Sequence, residues 1–332
     1  MRIAIFGAGA VGCYLGGRLA AAGGDVVLIG RARVGAEVAR GLVLTDYRGG
    51  RVETAPLPFT EGPEGARDAA LVLVCVKSAA SAEAARALRS HLAPDAVVVS
   101  FQNGLDNAQV LAEGLGRPVL RGMVGFNVAA QGAGGFHQGT QGGLHVADDP
   151  RLPVALFRRA GLALTRHADM APVLRAKLML NLNNAVNALS GLPLRAELSQ
   201  RDFRRCLALA QEEWLGLCAR AGMPLARLTP LPARMLPGVL RLPDPLFRAL
   251  AGGMLRIDPL ARSSMADDLA QGRATEIDWI NGEVLRLARA QSLEAPVNRR
   301  LVALIGAGRR DWSAPALLGE LSAALRRGTD GR

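Results

Sequence analysis

Two lysines stand among 38 arginines in this 332-residue chain, and both fall where an amine could do chemistry. Lys177 lies in LRAKLMLNLNN, residues 174–184, a stretch that otherwise reads as an apolar helix. At about 100° per residue, Lys177, Asn181 and Asn184 fall within an arc of about 60°, with Leu178, Leu180, Leu182 and Val186 elsewhere on the wheel. That spacing predicts a polar stripe of one amine and two amides. An arginine serves wherever only positive charge is wanted; a lysine differs because desolvation can lower its pKa until it donates a proton. By spacing alone, the stripe also suits an ordinary amphipathic helix whose lysine reaches to solvent. Lys77 directly follows the apolar run LVLVCV. That places it at the carboxyl edge of a parallel sheet, where ligands bind in open α/β folds.

A second chemical signal is GAGAVG, made of Gly7, Ala8, Gly9, Ala10, Val11 and Gly12. It follows the apolar run RIAIF and precedes a helical stretch, which in turn precedes the apolar run DVVLIG. In such a strand–helix–strand unit the first glycine permits the tight turn, the second lets a pyrophosphate approach the backbone, and the third lets helix and strand pack closely. The free N–H groups and partial positive charge of the helix N-terminus then receive the phosphates. An enzyme using NAD is expected to place an acid at the end of the second strand to hold the ribose. This chain reads LIGRAR there. Arg31, with Arg33 beside it, is suited instead to a 2′-phosphate, which points to NADPH/NADP.

The elements that must position these groups follow from periodicity. Apolar runs at 2–6, 25–30, 70–76 and 96–100 lack alternation, as expected of a parallel sheet covered on both faces. Residues 41–57 read as a hairpin turning at Gly49-Gly50, and shorter strands are expected at 118–124, 143–147 and 162–166. From Asp169 onward helical patterns take over at 170–190, 199–221, 263–271 and 275–291, interrupted by a proline-rich piece at 224–245. The expected fold is α/β: an N-terminal Rossmann-type dinucleotide-binding domain over 1–167, an all-helical substrate and catalytic domain over 168–327, and a flexible tail over 328–332.

Composition narrows the function. Net charge is +11, but the arginines are scattered and only two Tyr and three Trp are present, so nucleic acid is not an expected partner. Cys13, Cys75, Cys206 and Cys218 form no CxxC pair, which fits a reducing, cytoplasmic compartment. His91, His137, His145 and His167 lack metal-ligand spacing, so no metal site is expected. Apolar runs fall short of the roughly 18 residues of a membrane span, and the glycines of the opening segment interrupt what would otherwise imitate a signal peptide.

Taken in order, GAGAVG, Gly30-Arg31, VCVK ending in Lys77, QNGLDN containing Asn103, KLMLN from Lys177 to Asn181, and SSMADDLAQGRATEIDWINGEV over 263–284 resemble the ketopantoate reductase (2-dehydropantoate 2-reductase) family over nearly the whole chain. The resemblance implies NADPH-dependent reduction of 2-dehydropantoate to pantoate, a step of pantothenate and coenzyme A biosynthesis, with substrate in a cleft between a Rossmann domain and a helical domain. It implies Lys177 as general acid at the carbonyl oxygen and Glu276 as a contact to the substrate hydroxyl that helps set the lysine's charge. Asn103, Asn181 and Ser264 would bind substrate, and Arg31, Lys77 and Asn103 the cofactor. Reduction of a 2-oxo acid needs this set: a hydride donor, a proton donor at the developing alkoxide and an anchor for the carboxylate.

Some of these residues carry local readings of their own. Ser264 could cap a helix, Asn103-Gly104 could form a turn, and Thr275 with Asp278 could cap a helix whose dipole favours Glu276. The sequence departs from the family at two places. The family's second substrate asparagine, eight residues after the lysine, is here Ala185, with Asn184 about 20° from Lys177 and able to replace it. Residues 123–143 also differ, so another 2-oxo acid remains open as substrate. A 3-hydroxy-acid or opine-type dehydrogenase shares the two-domain plan, and an NADPH-sensing protein would share the glycine motif. The helical half could support a homodimer.

Overall fold

A computed structural model describes residues 1–252 and 258–329. It divides into two compact units, Met1–Met170 and Ala171 onward. The first contains twelve strands among the described residues: β1 (Arg2–Phe6), β2 (Asp25–Ile29), β3 (Val43–Asp46), β4 (Arg51–Glu53), β5 (Phe59–Thr60), β6 (Leu71–Val74), β7 (Val97–Ser100), β8 (Leu120–Val124), β9 (Val128–Gly132), β10 (Gly135–Gln138), β11 (Leu144–Ala147) and β12 (Leu164–His167). Eight form one sheet in the order β12-β11-β8-β7-β6-β1-β2-β5, and β4-β3-β10-β9 form a second.

The central strands are unbroken apolar runs because both of their faces are covered. Ile3, Ile5, Leu28, Leu71, Leu73, Val97 and Val99 point into one core with Cys13, Tyr14, Leu15 and Leu19 of helix Ala10–Ala21. The alternating residues Ala4, Val27, Ile29, Val72, Val74 and Val98 point into the other, against helices Ser81–Leu88 and Asn107–Leu115. β7, β6, β1 and β2 are neighbours and parallel, in register Ile3↔Leu71 and Ile3↔Val26. The chain leaves β1 for β2 on one side and later returns to β6 on the other. Such a reversal opens a crevice at the carboxyl ends of the strands.

Three features of this unit lie outside the sequence expectations. β5 is two residues long, too short to register as a pattern. β9 and β10 form a hairpin whose turn uses positive φ at Ala133 and Gly134. β10 pairs parallel with β3, and Phe136 is buried in the core. The divergent residues 123–143 therefore build much of a second sheet.

The second unit is helical. Helices Ala171–Asn181 and Asn183–Ser190 lie end to end, and further helices span Arg201–Arg220, Ser264–Ala270, Ile277–Ala290, Pro296–Gly306 and Ala314–Thr329. The last of these runs through the beginning of the expected flexible tail, and residues 330–332 lie outside the described ones. Arg204, fully buried on the longest helix, fixes the proline-rich piece. Its guanidinium donates to the carbonyls of Leu198, Leu240 and Leu242 and to Asp244 Oδ1, and stacks on Phe247. Removing that guanidinium would strand three carbonyl acceptors in the interior. No helix among the described residues is long and apolar enough to cross a membrane.

Candidate active site

The first unit gathers its site residues at one edge of the sheet, in the loops after β1, β2, β6 and β7. The loop after β1 is tied to β2 by the N–H groups of Gly7 and Ala8, which both donate to the Ile29 carbonyl at 3.0 and 2.9 Å. Gly7 has φ +105°, and a Cβ there would lie 2.6 Å from the Val76 nitrogen. A Cβ on Gly12 would lie 2.2 Å from the Gly7 carbonyl oxygen, so this glycine brings the helix onto the turn. Gly9 differs, because a Cβ there would meet no protein atom within 4 Å. Its bareness does nothing for packing and leaves open a cradle that a side chain would fill. The helix that follows starts at Ala10 with no acid in its first turn, and its first intrahelical bond outward is Cys13 N–H to Gly9 O at 2.8 Å. The N–H groups of residues 10–12 thus have no acceptor within the helix. Free donors, a bare glycine and an uncancelled dipole suit a dinucleotide's phosphates.

Arg31, one residue beyond Gly30 at the end of β2, is exposed and begins helix Ala32–Val38. Arg33 is already engaged with Glu37 at 2.6 Å, which leaves Arg31 the better placed of the two for a phosphate. Lys77 is exposed after β6, and Asn103 is half-buried after β7 in a turn where Gly104 has φ +95°.

The loops carrying Lys77 and Asn103 are joined by a buried polar cluster that sequence reasoning missed. Ser78 Oγ donates to the Asn103 carbonyl at 2.8 Å, and Asn107 Nδ2 donates to that same carbonyl and to Ser78 Oγ. Ser81 donates to Asn107 Oδ1 at 2.7 Å and receives Gln102 Nε2 at 2.8 Å. The signal available was a density of serine and amide residues directly after two apolar strands.

In the second unit the helical path continues through Leu182, which has φ −57° and ψ −22° and donates to the Leu178 carbonyl at 3.0 Å. The Lys177 stripe therefore keeps its geometry across the boundary of the two helices. Lys177 is half-buried, Asn181 is 8% exposed and Asn184 is half-buried. Ala185, at the family's asparagine position, is fully enclosed. Burial alone pushes the Lys177 amine down from 10.5 to about 8. The helix beneath it is clamped from Arg201–Arg220, where Trp214 Nε1 donates to the Arg175 carbonyl and Gln211 Nε2 to that of Met179. An amine that loses its proton near neutrality, held on a rigid helix beside an amide, has the chemistry of a general acid.

Ser264 is exposed at the start of its helix, and the cap is its neighbour. Ser263, fully buried, accepts the Ala266 N–H at 3.1 Å and donates to the Asn184 carbonyl at 3.3 Å. Glu276 is 9% exposed and directly precedes helix Ile277–Ala290, with Thr275 Oγ1 accepting the Ile277 N–H at 3.4 Å. Other polar residues of the 263–284 segment make contacts within the second unit. Asp268 pairs with Arg273 at 3.0 Å around Gly272, and Asn281 donates to Asn298 at 2.9 Å. A second pair of asparagines, Asn183 and Asn187, occupies a face about 110° from the Lys177 stripe by helical geometry. Both meet the buried Glu197. Among the described residues no cluster of His, Cys, Asp or Glu could hold a metal.

Residues 3–151 match the family described as "Ketopantoate reductase PanE/ApbA", and residues 169–309 match "Ketopantoate reductase PanE/ApbA C terminal". A 2-dehydropantoate 2-reductase of Halobacterium salinarum is 30% identical over 94% of this chain and 100% of its own. A crystal structure of a PanE/ApbA family ketopantoate reductase from Ralstonia eutropha superposes with TM-score 0.78 at 32% identity, covering 93% of this chain and 98% of that one. D-mandelate dehydrogenase, solved with NADH and anilino(oxo)acetate, has the same fold, with TM-score 0.75 at 21% identity over 93% of this chain and 98% of that one. The chain belongs to the ketopantoate reductase family of oxidoreductases.

Proposed function

We propose that the protein catalyses NADPH-dependent reduction of 2-dehydropantoate to pantoate, with Lys177 as the general acid. The observation that carries this reading is the Lys177 amine, lowered to about 8 by burial on the same helical face as Asn181. The unit Met1–Met170 is the cofactor-binding domain, with Gly7 to Gly12, Arg31, Lys77 and Asn103 as its contacts. The unit from Ala171 onward is the catalytic and substrate domain. Nicotinamide, when bound, supplies the hydride. Lys177 donates its proton to the carbonyl oxygen as negative charge develops there, and the neutral amine that remains is stable in its half-buried setting. Glu276 receives the substrate hydroxyl. Asn103, Asn181, Asn184 and Ser264 hold the oxo acid's carboxylate and hydroxyl groups. The exposed Arg31 and the lack of an acid after β2 support NADPH over NADH. The four cysteines are all free thiols, in keeping with a cytoplasmic setting.

A second reading, reduction of a different 2-oxo acid by the same groups, is favoured by Ala185 in place of the family's asparagine. A steady-state NADPH oxidation assay across 2-dehydropantoate and other branched 2-oxo acids separates the two. Lys177→Ala is expected to abolish turnover while NADPH still binds. Full activity in that variant refutes the role given to Lys177, and tight NADPH binding without oxidation by any oxo acid marks a sensor.

A further inference from the structure

The second unit buries a carboxyl group that the proposed reaction does not use. Glu197, in helix Leu194–Leu198, is fully enclosed and has no cationic partner among the described residues. Its Oε2 accepts from Asn183 Nδ2 at 3.0 Å and Asn187 Nδ2 at 3.4 Å. Burial is the main influence on its acidity and pushes it up to about 8, against the opposing pull of those two amides. The buried Oε1 and the Asn183 Oδ1 both lack a hydrogen-bond partner. Two unpaired acceptors in the interior are costly, and protonating the carboxyl turns one of them into a donor.

The hydrogen bonds continue from Glu197 towards the substrate segment. Asn187, fully buried, uses its Nδ2 on Glu197 and on the Leu192 carbonyl at 3.0 Å, which orients its Oδ1. That oxygen accepts the Ser263 N–H at 2.9 Å. Ser263 in turn caps helix Ser264–Ala270 and donates to the backbone carbonyl of Asn184. Ser264 and Asn184 sit on separate segments, 80 residues apart in the chain, and Ser263 is where those segments meet.

We propose that Glu197, in its neutral acid form, is a positioning residue: through Asn187 and Ser263 it fixes Ser264 and Asn184 relative to each other and so sets affinity for the oxo acid. The assignment of those two residues to substrate rests on the function proposed above, whereas the relay itself is independent of it.

The test compares Glu197→Ala with Glu197→Gln, which is neutral and keeps both an acceptor and a donor. Two readouts are taken: amide hydrogen exchange at Ser263 and Ala266, and KM and kcat for 2-dehydropantoate alongside NADPH affinity. In Glu197→Ala, exchange at Ser263 is expected to accelerate about tenfold and KM to rise about tenfold, the loss of roughly one buried hydrogen bond. kcat and NADPH affinity should change far less, and Glu197→Gln should restore both readouts. A folded Glu197→Ala with unchanged Ser263 exchange and KM overturns the proposal. So does a Glu197→Gln as impaired as the alanine variant, which would mean that the ionised carboxylate is needed. If Glu197→Ala does not fold, Asn187→Ala breaks the relay one step later and must give the same split. If the native protein reduces no 2-oxo acid, the functional reading fails alone and the exchange experiment still decides the relay.

Discussion

The proposed role of Lys177 as general acid predicts a reduction rate that depends on pH in a way that an ordinary lysine would not produce. Burial lowers the amine from 10.5 to about 8, a penalty on the charged form of roughly 3 kcal/mol at about 1.4 kcal/mol per tenfold change. At pH 7 about nine tenths of the enzyme then carries the ammonium, and at pH 9 about one tenth does, whereas an unperturbed lysine would remain almost fully charged. Because kcat/KM reports the free enzyme, its value for NADPH-dependent reduction should fall about tenfold between pH 7 and pH 9. Oxidation of the hydroxy acid by NADP, which needs the neutral amine, should rise over the same interval. The assay is the absorbance of the reduced nicotinamide followed in both directions. Folding stability supplies a check of opposite sign. A lysine whose folded pKa is depressed destabilises the fold below that pKa, and the penalty disappears between about pH 8 and pH 10.5. Lys177→Met should therefore be more stable than the native chain by up to roughly 3 kcal/mol at pH 7, with the gap closing across that window. A reduction profile flat to pH 10, or a break near pH 8 that persists in Lys177→Arg, would refute the assignment of the proton to this amine.

Other changes separate packing from binding. Gly12→Ala, whose Cβ would sit 2.2 Å from the Gly7 carbonyl oxygen, should cost about 1–3 kcal/mol in chemical denaturation. Gly9→Ala, whose Cβ meets nothing in the protein, should leave the denaturation midpoint in place and weaken NADPH in a calorimetric titration. Arg31→Ala should weaken NADPH by roughly ten- to a hundredfold, as expected for a charged hydrogen bond to phosphate, and leave NADH unchanged; equal losses for both cofactors would contradict the 2′-phosphate role. Arg204→Met should lower stability by about 3–5 kcal/mol, since Asp244 and three carbonyls lose their partner.

Where the sequence spoke clearly, a single physical cause dominated each position. The strands at the centre of the sheet were legible because both their faces are buried, which leaves runs such as LVLV with no polar residue at all. The Gly7 turn and the helix after it were legible because positive φ and close approach admit little but glycine. The second sheet was not, since β9 is exposed along most of its length and gives no apolar run. Among the site residues, the Lys177 stripe was visible because it interrupts an apolar helix. Ser263 was not, because a buried cap and an exposed first helical residue are both serine, and only the bond to Ala266 distinguishes them. Glu197 lay hidden in a surface-like sequence, LRAEL, whose charge carries no mark of burial. Its partners Asn183 and Asn187 were four residues apart, the one hint that a second face of the helix was polar for a reason.

Those two asparagine faces make the reading frame of the helix around Leu182 a determinant in its own right. One residue inserted there would rotate everything downstream by about 100°, carrying Asn183 and Asn187 onto the line of Lys177 and turning Asn184 away from it. The chain would keep every asparagine, yet Glu197 would lose both amides and the Lys177 stripe would acquire two new ones. Divergence within this segment is thus constrained in phase more than in composition. An alignment that counts its asparagines without tracking their angle will confuse the pair that meets Glu197 with the pair that shares the Lys177 face.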